Sequence, residues 1–231
     1  MPAAVAFDLD DTLFREWDYV RSGYSAVAKI VADTTGADAA KLAAMMMRHR
    51  PLGFEAVLSY IKGMPGAEMF TVDSMIEAYR SHEPVIDLRP GARDTLEALA
   101  RAGADLLLIT DGSTRHQRAK IKALGIADLF EPGAIIISEE SGGDKTTMVP
   151  WKLAADIYGK PGTRFFYVGD NLKKDFLLPA QNGWTTIMLR DTEGTNVFPQ
   201  EPCRWPAVNL PMTTIDNLSE LKKIILPCLQ H

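Results

Sequence analysis

Two hydrophobic rhythms alternate along most of this chain. One is a set of short, nearly unbroken apolar runs: Ala4–Phe7, Asp105–Thr110, Ala134–Ser138, Arg164–Val168 and Thr185–Leu189. Each is too short for a buried helix, and runs of this kind predict strands covered on both faces, as in parallel sheets. Between them apolar residues return at three- and four-residue spacing, which predicts helices. Pro90-Gly91 open one that reaches Ala102 and stops at Gly103, and Asp111-Gly112-Ser113-Thr114 lead into one that ends near Gly125. Further helices are expected over Pro150–Tyr158 and Asp175–Gln181. Alternating strands and helices imply right-handed crossovers, hence an α/β, doubly wound parallel-sheet fold of Rossmann-like type. Met212–Ile215 adds a short strand and Leu218–Leu226 a closing amphipathic helix. Segment 191–210, rich in Pro, carries neither rhythm.

Residues 15–84 interrupt this alternation. Val20, Tyr24, Val27 and Val31 fall on one helical face, and Gly36 and Asp38 end that helix. A second helical run covers Leu42–Met47 and ends at Pro51; a third covers Phe54–Ile61 and stops at Gly63. A fourth runs from Thr71 to Tyr79, with Thr71 or Asp73 as its cap. Four helices with no strand between them predict a separate module inserted after the first strand. The expected organisation is therefore an α/β core domain of residues 1–14 and 85–231 and a helical domain of residues 15–84.

Composition narrows the class without choosing a function. Apolar residues make up 46 % of 231, ordinary for a globular chain, and no apolar run approaches the roughly 20 residues of a membrane span. A strand starting at residue 4 leaves no room for a leader peptide, so a cytoplasmic location is expected. The two cysteines, Cys203 and Cys228, are too few for a zinc site and are expected as reduced thiols. A net charge of −5 argues against nucleic acid as a partner.

Parallel strands bring their carboxyl ends to one edge of the sheet, where ligands of such folds bind. Gathered there are Asp8, Asp10 and Thr12; Thr110, Asp111 and Gly112; Ser138, with Lys145 in the loop beyond; and Gly169, Asp170 and, a turn later, Asp175. Asp8 and Asp10, two apart on extended backbone, project toward one site with Leu9 turned away. Neighbouring carboxylates repel unless a cation joins them, and an oxygen-only donor set suits Mg²⁺. The Thr110 hydroxyl, the N–H groups of Asp111 and Gly112 and the helix start at Ser113 can hold an anion. Lys145 adds a fixed positive charge. Cation site, anion cradle and spare carboxylates together describe phosphoryl transfer. Asp11 is expected to point away from the site.

The ordered set Asp8-x-Asp10-x-Thr12, Thr110-Asp111-Gly112, Lys145 and Gly169-Asp170-x-x-x-x-Asp175 resembles the four motifs of the haloacid dehalogenase superfamily. The resemblance covers the core, including Gln117, Ser138-Glu139-Glu140 and Ile215–Leu221, and the helical module resembles that superfamily's cap. It implies that Asp8 is a nucleophile forming an aspartyl-phosphate, with Asp10 as general acid and then base. It also implies phosphate contacts from Thr110, Asp111, Gly112 and Lys145. Mg²⁺ would be held by the Asp8 carboxylate, the Asp10 carbonyl and Asp170, with Asp175 at one remove, through water or by orienting Lys145. The activity implied is Mg²⁺-dependent hydrolysis of a small-molecule phosphate monoester, a sugar phosphate or a nucleotide.

Two positions depart from the motifs. Asp111 stands where asparagine is usual, which is unfavourable near a phosphate unless that carboxylate points away or is neutralised. Thr146 follows Lys145 in place of the common proline. A 2-haloacid dehalogenase is the nearest alternative, but those enzymes lack a carboxylate at the place of Asp10, because a halide leaves without a proton. A phosphoacceptor signalling module would carry its phosphorylated aspartate on a later strand, and a non-catalytic scaffold would have no need of every catalytic side chain. In the helical module Arg15, Arg21, Arg48, His49 and Arg50 are candidates to clasp a second anionic group. Met45-Met46-Met47 is expected as pliable packing.

Overall fold

A computed structural model describes residues 1–229, and Cys203 by its backbone alone. Six strands among them form one parallel sheet: β1 (Ala3–Phe7), β2 (Asp105–Thr110), β3 (Ile135–Ile137), β4 (Arg164–Gly169), β5 (Thr185–Leu189) and β6 (Thr213–Ile215). Their order across the sheet is β3-β2-β1-β4-β5-β6. β1 lies between two neighbours and under both layers, so all five of its residues are buried, which is why the run has no polar face. The chain builds outward from β1 through β2 to β3, then returns to place β4 on the other side of β1. The crevice beyond the carboxyl ends of β1 and β4 is therefore the point where strand order reverses, the binding position of open α/β sheets.

The chain forms two compact units, Met1–Glu16 with the chain from Asp87 onward, and Trp17–Ile86. The second unit is helical, with α1 (Glu16–Thr35) running into it, followed by α2 (Ala39–Arg48), α3 (Gly53–Ile61) and α4 (Val72–Ser81). Asp38 caps α2 by accepting from the Lys41 N–H, and Thr71 and Ser74 form a reciprocal capping box on α4. Val27, Val31, Leu42, Met46, Val57, Ile61 and Met75 form the centre of its core, with Met45 and Met47 half-buried at its margin. The methionine run thus packs this unit. Arg21 pairs with Asp18 at 2.8 Å, and the Arg50 guanidinium lies 4.5 Å over the Trp17 ring.

The core unit continues with α5 (Ala92–Arg101), α6 (Thr114–Leu124), α7 (Ser138–Ser141), α8 (Val149–Tyr158), α9 (Leu177–Gln181) and α10 (Leu221–Leu229). Several element ends differ from the sequence pattern, and three of them have a local cause in the core unit. β3 stops at Ile137 because Ser138 turns into α7, where its hydroxyl meets the Gly112 N–H. α9 starts at Leu177, since the Asp175 carboxylate turns back to accept from the Asp170 and Asn171 N–H groups. The closing helix α10 follows a short 3₁₀ turn over Leu218–Glu220 that carries its own capping box. No helix of the described residues is long and apolar enough to cross a membrane, and Cys228 is a free thiol.

Candidate active site

Asp8 follows β1 directly, and its N–H donates to the Val168 carbonyl at 2.8 Å, extending the β1–β4 ladder by one residue. That bond fixes the Asp8 side chain at the mouth of the crevice. Lys145 arrives from the segment between α7 and α8 and is wholly buried. Its Nζ lies 2.8 Å from Asp8 Oδ1 and 2.7 Å from Asp175 Oδ1, and donates to the Tyr167 hydroxyl at 3.0 Å. These three partners use all three ammonium hydrogens. Asp175 is equally committed: Oδ2 accepts from the Asp170 and Asn171 N–H groups, and Oδ1 accepts from Lys145 and from the Tyr167 hydroxyl at 3.1 Å. Asp170, at the end of β4, accepts from Asn196 Nδ2 at 2.8 Å.

Charge does not balance in this group. Asp8, Asp170 and Asp175 place oxygens within 4.8 Å of one another, and the Lys145 ammonium pairs with two of them, Asp8 and Asp175. Burial pushes Asp8 up to about 7, against the downward pull of Lys145, and Asp175 adds to the rise. Burial, then Asp175 and Asp8, push Asp170 well above the usual carboxylate range. Burial opposes the charge on Lys145, yet Asp175 and Asp8 hold its pKa well above the ordinary value. An excess of buried negative charge on oxygen donors is what a hard divalent cation compensates, so the donor set fits Mg²⁺.

Asp10 is held differently. Its Oδ1 lies 2.6 Å from Lys120 Nζ, and its Oδ2 accepts from Gln117 Nε2 at 2.8 Å. Gln117 and Lys120 stand one turn apart on the buried face of α6. The Gln117 amide nitrogen is also 2.9 Å from Thr110 Oγ1 and 2.6 Å from the Asp111 carbonyl, so the Thr110 hydroxyl keeps its own hydrogen to donate. Gly112 sits against that amide with φ of +140°, and an added Cβ would come within 3.0 Å of Gln117 Nε2, so this turn admits only glycine.

The extra carboxylate at Asp111 is neutralised. Its Oδ1 accepts from the Lys145 N–H at 3.0 Å and its Oδ2 meets Lys174 Nζ at 2.8 Å. Burial would raise its pKa, but Lys145 and Lys174 outweigh it and hold Asp111 below the usual range. The expected anion cradle is narrower than the sequence pattern implies. The Gly112 N–H donates to Ser138 Oγ at 2.9 Å and the Thr114 N–H to Glu139 Oε2 at 2.7 Å. Among the described residues the Thr110 O–H and the Asp111 N–H are left without an acceptor. Asp11 is a brace with φ of +55°: its carboxylate accepts from the Glu16 and Val197 N–H groups, and the buried Thr12 hydroxyl has no partner.

A cleft of about 110 Å³ is lined by Asp8, Asp10, Asp11, Asp111, Asp170 and Lys174, with Glu16, Asn171 and Phe198 at its margin. That is well below the roughly 300 Å³ of a whole-ligand pocket, so it suits a reacting group more than an entire substrate. Burial, then Asp10, push the Glu16 carboxyl up to about 7. Arg15 forms a bidentate pair with Glu193 at 2.6 Å. Lys120, Lys174, Tyr167, Glu16 and Asn196 escape the sequence pattern. Lys120 had a usable signal, three residues after Gln117 on one helix face. Tyr167 looks like strand core, and Asn196 lies in a segment without periodicity.

Residues 2–177 match the family model for haloacid dehalogenase-like hydrolases. The chain belongs to that family. Within it, the chain is 26 % identical to a ribulose-1,5-bisphosphate 5-phosphatase of Halopiger xanaduensis, over 96 % of this chain and 86 % of the relative. It is also 26 % identical to a glyceraldehyde 3-phosphate phosphatase of Methanothermobacter thermautotrophicus, over 97 % of this chain and all of the relative. Among solved structures, a 2-haloacid dehalogenase from Pseudomonas syringae has the same fold with a TM-score of 0.65 at 23 % identity, covering 99 % of this chain and 100 % of that one. At that identity the likeness to the dehalogenase is one of fold.

Proposed function

We propose that this phosphoric monoester hydrolase acts on a small sugar phosphate by way of an aspartyl-phosphate on Asp8. The observation that carries this is the division of the cleft: Asp8 beside Lys145, and Asp10 apart from it on Lys120 and Gln117. In the first step Asp10, having taken up a proton from solvent, gives it to the departing alkoxide as an Asp8 oxygen bonds to phosphorus and the ester P–O bond breaks. In the second, water attacks the acyl phosphate, Asp10 takes a proton from it, and phosphate and the Asp8 carboxylate are released. The Thr110 hydroxyl and Asp111 N–H bind phosphoryl oxygens. Lys145, with its hydrogens directed at Asp8, Asp175 and Tyr167, orients the nucleophile and offsets its charge.

Mg²⁺ would be held by the Asp8 and Asp170 carboxylates and the Asp10 carbonyl, and would supply charge neutralisation at the phosphoryl oxygens. Asp175 acts at one remove by fixing Lys145. A sugar phosphate is favoured over a nucleotide by the names of the curated relatives, which specify ribulose-1,5-bisphosphate and glyceraldehyde 3-phosphate. Dehalogenation is disfavoured because Asp10 supplies a proton that a halide does not need.

The test is phosphate release by purified protein with Mg²⁺ from triose, pentose and hexose phosphates and from nucleoside monophosphates. Release that disappears in Asp8→Asn supports the proposal. Wild type no faster than Asp8→Asn across the whole panel would sink it, and a dehalogenated product from 2-haloacids would point to the other branch of the family.

A further inference from the structure

Asn196 lies between two ions and is itself neutral. Its Nδ2 donates to Asp170 Oδ2 at 2.8 Å, and the other Asp170 carboxylate oxygen has no protein partner among the described residues. At the opposite end of the amide, Arg89 Nη2 donates to Asn196 Oδ1 at 3.1 Å and to the Asp11 carbonyl at 2.9 Å. A guanidinium only donates and a carboxylate only accepts, so a single orientation of the amide satisfies both neighbours. Asn196 is 9 % exposed, and its backbone is anchored as well. Its N–H donates to Asp191 Oδ2 at 2.7 Å, and Gln200 donates to the Asp170 and Leu189 carbonyls at 2.9 Å each.

A lysine or arginine in this place would orient Asp170 equally well, but its charge would compete with a cation for the carboxylate. A neutral amide fixes the carboxylate and leaves its negative charge in the cluster with Asp8 and Asp175. The positive charge of Arg89 is kept one residue back, where it sets the amide.

We propose that Asn196, held by Arg89, is a positioning residue that presents the Asp170 carboxylate to a divalent cation, so that segment 191–200 sets metal affinity. The inference rests on the Mg²⁺ site proposed above. Removing a hydrogen-bond partner of a metal ligand commonly lowers metal affinity by about 10–100-fold.

Calorimetric titration of chelator-treated full-length protein with Mg²⁺, at one pH, tests this. Asn196→Ala is expected to raise the Mg²⁺ Kd about 10–100-fold, and Arg89→Met to raise it less. At saturating Mg²⁺ the kcat of both variants should return close to wild type, which a general loss of structure would not allow. A folded Asn196→Ala protein, by circular dichroism, with unchanged Kd overturns the proposal, as does a kcat loss that saturating Mg²⁺ does not restore. Should Asn196→Ala fail to fold, Arg89→Met decides alone, and an unchanged Kd there overturns it. Wild type that binds no Mg²⁺ would remove the metal site itself; wild-type binding with unaffected variants would remove only the role of Asn196.

Discussion

Asp10 and Asp170 face one cleft from adjacent strands, yet their surroundings are opposite. Asp10 meets an ammonium and an amide, one on each oxygen, so its charge is matched locally. Asp170 meets one neutral amide, while Lys145 pairs with its neighbours Asp8 and Asp175. Carboxylates of the same type, one half-buried and one buried, are thus sorted by their counter-charges. The balanced side suits a residue that exchanges a proton with substrate, and the negative side suits a cation.

The sharpest way to break the contrast is at Asp8. Asp8→Asn should lower kcat by at least about 10⁴-fold, as removal of a nucleophile does, and phosphate release under single-turnover conditions measures it. Lys145→Met comes next. It strips Asp8 and Asp175 of the ammonium they pair with and should lower kcat on the order of 10²–10³-fold. In the absence of divalent cation it should also destabilise the fold by about 3–5 kcal/mol, read by urea denaturation. Unchanged stability would mean that Lys145 is not what offsets this cluster.

Lys120→Met tests the balanced side. It should cost on the order of 10-fold in kcat on an alkyl phosphate and clearly less on p-nitrophenyl phosphate, whose leaving group needs little proton transfer. Mg²⁺ affinity should stay near wild type, the reverse of the pattern expected at Asn196. Equal losses on both substrates would show that Lys120 supports only the fold. The smallest effect is a pH slope in metal-free protein. Folded Asp8 keeps its proton up to about 7, whereas the ordinary carboxyl loses it near 3.8. Between these values the native state binds more protons, so the contribution of Asp8 to stability is full at low pH and declines as pH rises toward 7. Melting temperatures without metal should therefore fall over this range, and Asp8→Asn should flatten the fall.

Much of the sheet was legible because strands buried on both faces carry unbroken apolar stretches, with polar residues confined to their ends. β2 and β5 run over the same residues as their apolar runs, and even β6 shows in Met212–Ile215. Helix starts were legible where a cap was present, as at Thr71 and Ser113. The site was legible where residues terminate strands, because position along a parallel strand already places a side chain at the sheet edge. Illegible were the partners that crossovers bring in. Lys174 beside Asp111 and Asn196 beside Asp170 are separated by 63 and 26 residues, with no periodic signal between.

By itself, then, the sequence determined the alternation of strand and helix and the set of acidic, hydroxyl and lysine groups at the strand ends. Burial and short-range periodicity write those features into local residue choice. Only the tertiary structure decided which charge answers which. Pairing Lys120 with Asp10, Lys174 with Asp111 and Asn196 with Asp170 depends on distances of a few ångströms between distant segments. The electrostatics of a buried carboxylate are governed by such neighbours more than by its own place in the chain.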